Sequence, residues 1–467
     1  MIEVADINLR VSSEYNIFPA ERKINMKQIG QSILGVVLVA LIALLGLIVL
    51  RSYQETQRQA EEELRQEQQT PAPTSTPEPT PEVVEEPENF VEIKLGVCGD
   101  IVVHSGLNAE AQQEDGSYNY TSIFSGVWDA VSETDYAICT METTFPETVE
   151  YTGYPMFKSP TELATSLKTV GFDMVNTASN HSVDGLKAGI FRTLDILELN
   201  GLDHVGTYRS QEERDTNNGI LVKDINGISI AFLSYTYGTN AIPVTGFEYA
   251  VNIFYNDYLN TLSDINYDLL REDMAAARAL NTDLILVQMH WGLEYETSPK
   301  PYQIELSDFL FREGADIIIG GHPHVPQPME LRKVTDEDGT ERTCFIVYSM
   351  GNLVSCMDDR YTDLTVALNI GIQKNIDTGE TVLRQIQYYP VKMMDMLDYG
   401  VDPGYRYATW NLYSAISGYE NGNDLGVIND VVLADIKEAV EDIRGIMGTE
   451  FDYAYGGVDA AQWALEN

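Results

Sequence analysis

Ile317-Ile318-Ile319-Gly320-Gly321-His322-Pro323-His324 reads as a short buried strand that stops on two glycines and delivers two imidazoles at its end. A continuous apolar run of this length, bounded by Gly and Pro, suits a strand covered on both faces. The same arrangement recurs along the chain. The run at 284–289 ends on His290, that at 174–178 on Asn180 and His181, that at 136–141 on Glu142, and Val91-Glu92-Ile93-Lys94-Leu95-Gly96-Val97-Cys98-Gly99 on Asp100. Residues 228–234 and 345–349 are further apolar runs of the same kind. Helical patterns at 161–170, 185–199, 269–280 and 304–312 fall between them. This alternation predicts an α/β fold of sheets covered by helices. Residues 365–373 and 381–389, joined through Asp377-Thr378-Gly379, predict a closing hairpin, and 431–447 an amphipathic helix.

The polar residues closing these runs carry the chemistry. Open α/β sheets gather their ligands beside the carboxyl ends of strands. Five separate runs each send an oxygen or imidazole donor to that edge. A lone Asp after a strand is ordinarily a turn residue, and a lone His in a core is ordinarily hydrogen-bonded. Four of only six histidines at such ends, beside Asp, Glu and Asn, are not explained that way. Mixed oxygen and nitrogen donors suit Mn²⁺, Zn²⁺ or Fe rather than Cu(I) or an iron–sulfur cluster. Two carboxylates, one amide and three imidazoles exceed the needs of one tetrahedral ion. They would serve two divalent ions about 3.5–4 Å apart, able to activate water and clamp an oxyanion.

The motifs Gly99-Asp100, Met141-Glu142, Ser179-Asn180-His181-Ser182-Val183-Asp184-Gly185, His290-Trp291-Gly292-Leu293-Glu294-Tyr295, Gly320-Gly321-His322-Pro323-His324-Val325-Pro326-Gln327 and Tyr348-Ser349-Met350-Gly351-Asn352 occur in that order. Together they resemble the CapA family of capsule and poly-γ-glutamate synthesis proteins, itself similar in fold to calcineurin-like metallophosphoesterases. The resemblance covers about residues 93–393. It implies metallophosphoesterase-like layered sheets, with Asp100 and His324 on a first metal, Glu142 as the bridging carboxylate, and Asn180, His290 and His322 on a second. His181 would then stand near the substrate as a proton donor or oxyanion stabiliser, oriented by Asp184. Two departures from the phosphoesterase pattern agree with the CapA variant. Val102 fills the position of a ligand His, with His104 two residues later as a candidate extra ligand, and Glu replaces Asp at the bridge. Trp291, Glu294, Tyr295 and Asn352 are expected to line the substrate groove, with Gln303 nearby and Lys158 or Arg360 as candidate cations. His204 is expected to be structural.

The 467 residues carry 29 Lys+Arg against 72 Asp+Glu, a net charge of −43. That balance excludes a sequence-independent grip on nucleic acid, which needs a basic face, and charge-driven docking on anionic lipid. The apolar run from Ile33 to Leu50, extended back to Ile29, is long enough to cross a bilayer. We therefore expect an N-terminal cytoplasmic segment (1–28), a transmembrane anchor (29–50), a Glu/Pro/Thr-rich linker (51–90), the catalytic-type domain (91–395) and a partly helical extension (396–467). Eleven Glu and three Arg between 51 and 92 give that stretch −8, leaving −35 on residues 93–467. Cys98, Cys139 and Cys344 lie within apolar runs as buried thiols, and Cys356 is the candidate for reactivity. The absence of Cys-x-x-Cys excludes a zinc ribbon.

These features predict a single-pass protein of the cell membrane with its C-terminal domain outside. The CapA resemblance implies work on an anionic polymer such as poly-γ-glutamate or capsule material, beside a membrane synthase, while the charge excludes nucleic acid as a partner. A broad extracellular phosphoesterase, or a non-catalytic scaffold of the synthase, would use the same residues differently.

Overall fold

Alternation along the strands decides which side chains meet. In β-strands successive side chains point to opposite faces, so each apolar run here serves two cores at once. The computed structural model describes residues 89–467 except 149, 337 and 425. The anchor at 29–50 and nearly all of the linker lie outside the described residues. Among the described residues no helix is long and apolar enough to cross a membrane.

In chain order the strands are β1 (Phe90–Ile101), β2 (Tyr136–Met141), β3 (Met174–Asn176), β4 (Asp203–Val205), β5 (Leu221–Ile225), β6 (Ile228–Thr236), β7 (Leu284–His290), β8 (Ile317–Gly321), β9 (Pro326–Thr335), β10 (Glu341–Met350), β11 (Asn352–Val354), β12 (Leu364–Asn375), β13 (Thr381–Asp395), β14 (Tyr407–Asn411) and β15 (Val458–Asp459). They form two sheets. One runs β14-β13-β12-β1-β2-β3-β4, with β11 added beside β1 and β15 beside β13; the other runs β5-β6-β7-β8-β10-β9. Strands β1 to β4 are parallel to one another, as are β6, β7, β8 and β10.

The sheets pack face to face. Leu95, Val97, Ile138 and Met174 from one meet Ile230, Phe232, Leu286, Ile317, Phe345 and Val347 from the other in a shared buried core. The alternate residues face outward. Ala137, Cys139 and Met141 pack with Leu163 and Leu167 of the helix Glu162–Val170. Ala231, Leu233, Ile285, Val287 and Ile318 pack with Leu270 and Met274 of the helix Tyr267–Ala279 and Leu306 and Leu310 of the helix Pro301–Arg312. The result is a helix–sheet–sheet–helix sandwich, the layered α/β architecture expected from the alternation. Burying a Leu or Ile between such layers contributes about 1.5–3 kcal/mol.

The expected hairpin is present as β12 paired antiparallel with β13. Residues 396–467 do not stand apart from 91–395. β14 extends the first sheet beside β13, and Val432, Ile436 and Val440 of the helix Asp430–Met447 sit in the same core as Leu95 and Phe345. The seam expected at 395/396 rests on a stretch rich in Tyr, Gly and Asn. Those residues form the turn region near β14, while the next helix supplies the apolar face.

Candidate metal centre

The parallel strands of both sheets end along one edge, and the placing of the polar residues is a consequence. Asp100 is the penultimate residue of β1, Glu142 comes directly after β2, and Asn180 and His181 lie on the loop after β3. His290 ends β7, while His322 and His324 come just after β8. The loop after β3 holds itself: Ser182 Oγ donates to Thr177 O and to Ser179 O, each at 2.7 Å, and accepts from Ser179 N at 2.8 Å. Gly321 is required beside Asp100, because a Cβ there would come within 2.5 Å of Asp100 Oδ1. His322 (φ 95°) and His324 (φ 62°) both occupy the left-handed region, a strain of about 1–3 kcal/mol each that surrounding structure must hold.

Six donor groups converge there, all buried. His322 N donates to Asp100 Oδ2 at 2.8 Å, leaving Asp100 Oδ1 buried without a partner. Both oxygens of Glu142 are likewise buried and unpartnered, as are His290 Nδ1 and His322 Nδ1. Glu142 Oε1 lies 3.7 Å from His290 Nε2 and 4.0 Å from His324 Nδ1. Asn180 Oδ1 approaches His290 Nε2 at 2.8 Å. Donor atoms of Asp100, Glu142 and His324 lie within 4.8 Å of one another, and so do those of Glu294, His322 and His324. Buried polar atoms are almost always hydrogen-bonded, so this many orphaned atoms on neighbouring side chains fit a site for cations.

The electrostatics agree. Burial, with the Asp100 charge added, holds the Glu142 carboxyl well above the usual carboxylate range, and burial raises Asp100 to about 7. Burial also pushes His290 and His322 well below the usual imidazole value, and His324 to about 4. Neutral imidazoles offer lone pairs, and a nearby cation would restore the ionised carboxylates. The residues present therefore fit a metal ion.

His181 and Asp184 stand at the rim of this cluster. His181 Nδ1 lies 2.7 Å from Asp184 Oδ2, which also accepts from Phe157 N at 2.5 Å. Phe157 meets the His181 ring edge-on at 4.6 Å. Two neighbours escape sequence reasoning. Asn240 accepts from Asn180 Nδ2 at 3.1 Å, and its own Nδ2 is 3.3 Å from His181 Nε2. Tyr237 stacks parallel on His290 at 6.4 Å and tilts over His322 at 4.6 Å. Both come after β6, whose end lies on the same edge. The signal for them is position after a parallel strand, but neither residue is a carboxylate or imidazole.

Other expectations need correction. Trp291 does not line a groove: it is fully buried, and its Nε1 donates to Tyr348 O at 3.0 Å. Asn352 is also fully buried, and it meets His324 Nδ1 at 2.9 Å instead of facing outward. Gln303 is buried, bonded through Nε2 to Gln327 Oε1 at 3.2 Å. Glu294 and Tyr295 are exposed beside the cluster, with the Tyr295 ring 6.3 Å from that of His324. His104 lies outside both donor groups, its Nδ1 3.2 Å from Val102 O and from Cys356 N. His204 sits near the surface, 3.1 Å from Glu198. Lys158 pairs through its backbone with Thr152 and Thr144, and Arg360 lies 4.3 Å over the Tyr361 ring in a separate cleft of about 620 Å³. The four cysteines are free; burial raises the Cys356 thiol, so it is not an activated nucleophile.

Comparison with known proteins places these residues in a family. The capsule biosynthesis protein CapA of Bacillus anthracis is 31% identical over 196 residues, 41% of this chain and 42% of that protein. The PGA biosynthesis protein CapA of Bacillus subtilis (strain 168) is 32% identical over 188 residues, 40% of this chain and 44% of that protein. The match thus spans less than half the length of these curated relatives. A crystal structure described as a novel phosphatase from Mycoplasma pneumoniae superposes with a TM-score of 0.36 at 15% identity, over 65% of this chain and 94% of that one. The sequence pattern of the bacterial capsule synthesis protein PGA_cap matches residues 94–357, more than half of the chain and all six donor residues. The chain belongs to the PGA_cap family of bacterial capsule synthesis proteins.

Proposed function

We propose that this chain is a membrane-anchored protein of capsule or poly-γ-glutamate biosynthesis. In this reading residues 29–50 hold it in the membrane with the folded domain outside the cytoplasm. Its buried cluster holds two divalent ions, of Mn, Zn or Fe, for hydrolysis or transfer on an anionic polymer beside a membrane synthase. The supporting observation is Glu142. It is a fully buried carboxylate with both oxygens unpartnered, facing the imidazoles of His290 and His324 and lying beside the unpartnered Oδ1 of Asp100. Replacing such a cluster by apolar residues would be no harder to fold, so a ligand is the physical reason for keeping it.

Asp100 and His324 would hold one ion and Asn180, His290 and His322 the other, with Glu142 available to both. When bound, the ions would supply an acidified water and a clamp for an anionic oxygen. The remaining work belongs to the chain. With Nδ1 of His181 held by Asp184, its Nε2 is the atom that gives or takes a proton at the leaving group. Phe157 packs edge-on against that ring at 4.6 Å. Asn240, bridging Asn180 and His181, fixes the distance between the cluster and this proton-carrying group. A domain carrying −35 repels a polyanion except where cations stand between the two.

The test has two arms. Elemental analysis of full-length protein purified in detergent should find about two transition-metal ions per chain. Cells producing only Glu142→Gln or His290→Ala protein should make no polymer. Wild-type polymer levels from both variants would overturn the proposal.

A further inference from the structure

Glu294 is the exposed member of a cluster whose other members are buried. One of its carboxylate oxygens lies within 4.8 Å of donor nitrogens on His322 and His324. Exposed carboxylates near histidines are common, so the position needs a second support. It comes from His322, which is 4% exposed and whose Nδ1 has no hydrogen-bond partner. A buried imidazole with an unpartnered nitrogen, in a ring that lies within reach of a carboxylate, is an incomplete coordination shell.

The loop bearing Glu294 is pinned rather than free. Gly292 N donates to Tyr302 Oη at 2.6 Å, Tyr295 N to Pro323 O at 2.8 Å, and Gln327 Nε2 to Glu296 O at 2.7 Å. Gly292 adopts φ 98°, where a Cβ would also meet Pro323 Cγ at 2.9 Å. Tyr295 N thus ties the loop after β7 to the loop after β8 directly beside Glu294, which holds the Glu294 backbone next to His322-Pro323-His324.

We infer that Glu294 is a metal ligand that caps the outer, solvent-facing coordination position next to His322. This rests on the proposed metal centre and reassigns Glu294 from groove lining to the metal. The two donor groups share His324, so Asp100 and Glu142 lie on the inner side and Glu294 on the outer. Its exposure distinguishes it from the other ligands. An anionic substrate group must displace the Glu294 carboxylate to reach the ion, so the site favours ligands that bind more strongly than one carboxylate, such as phosphate or a chelating pair of carboxylates.

Full-length protein in detergent, stripped of metal, is titrated calorimetrically with Mn²⁺ alone and followed by visible absorption with Co²⁺ alone. The wild type should take up two ions. Glu294→Gln should weaken one of the two by about tenfold or more and alter the Co²⁺ bands. Glu296→Gln, a neighbouring acid 3.3 Å from Lys300 Nζ, should change neither. An isotherm and spectrum for Glu294→Gln equal to wild type would overturn the inference and leave the metal centre standing. Equal weakening by Glu296→Gln would overturn it too, since the effect would then be general charge. Absence of any uptake by the wild type would overturn the metal centre itself.

Discussion

His324 Nδ1 lies 2.9 Å from the carboxamide oxygen of Asn352. Because that oxygen can only accept, the proton sits on Nδ1 and Nε2 carries the lone pair. The orientation of the amide is fixed from its other side, where Nδ2 donates to Thr362 O at 3.0 Å and to Ser355 Oγ at 3.2 Å. A buried Asn thus sets the tautomer of a histidine proposed as a metal ligand, the arrangement by which outer partners tune metal sites. Asn352→Leu, similar in volume and unable to accept, should lower Mn²⁺ affinity by about 10–100-fold while far-UV circular dichroism stays unchanged.

Gly321 tests the cradle around Asp100. Its φ lies outside the left-handed region, so Ala is permitted by the backbone, but the new Cβ would meet Asp100 Oδ1 at 2.5 Å. Gly321→Ala should fold and lose Mn²⁺ binding, because the carboxylate must swing away. Gly99→Ala is the contrast. Its Cβ would collide with Gly351 O, a backbone atom, so that variant should lose folded protein instead. Yield, melting temperature and a metal titration on both variants separate the two outcomes.

Stability away from the site has its own weak point. Arg214, on the helix Gln211–Asp215, donates from Nη2 to Asp273 Oδ2 of the helix Tyr267–Ala279 at 2.6 Å and from Nε to Asn252 Oδ1 at 2.8 Å. Tyr235 Oη donates to the same Asp273 oxygen at 2.9 Å. Asp273→Asn keeps an acceptor but leaves a buried guanidinium without its counter-charge. The cost should be about 3 kcal/mol, at the low end for breaking a buried pair. Chemical denaturation should show that loss, and metal affinity should be unchanged.

Strand-by-strand reading locates the donors because apolar runs and the polar residues ending them are local features. Residues 136–141 and 284–289 match β2 and β7 almost residue for residue, and Glu142 and His290 stand at their ends. Relations across the sheets are not legible in this way. Trp291 is next to His290 in sequence, yet alternation at the end of β7 turns it into the outer core against Tyr348. Asn352 shares the edge but lies behind His324, not in front of it. Tyr237 and Asn240 belong to the site through stacking and amide contacts that no spacing encodes. The place of residues 396–467 in the common core depends on β14 joining β13, a pairing between strands separated by a turn of loosely patterned sequence.

Glu142 gives the site a pH signature that can be isolated with one variant. In metal-free protein its folded pKa is raised well above 4.5, chiefly by burial. A carboxyl group raised on folding costs no stability below its unfolded value. The penalty grows as pH rises from about 4.5 and is complete once pH passes the folded pKa. Glu142→Gln lacks this penalty. The histidines, held low by burial, destabilise in acid below about 6.5, but they do so in both proteins and cancel in the comparison. Metal-free Glu142→Gln should therefore be the more stable of the pair at pH 8, with the gap closing towards pH 4.5. Saturating Mn²⁺ should invert the order at pH 8, because the ion binds only the folded wild type tightly. Melting curves of both proteins at several pH values, with EDTA and with Mn²⁺, measure the gap directly. A gap that does not change with pH would show that Glu142 is not held above the ordinary carboxylate range.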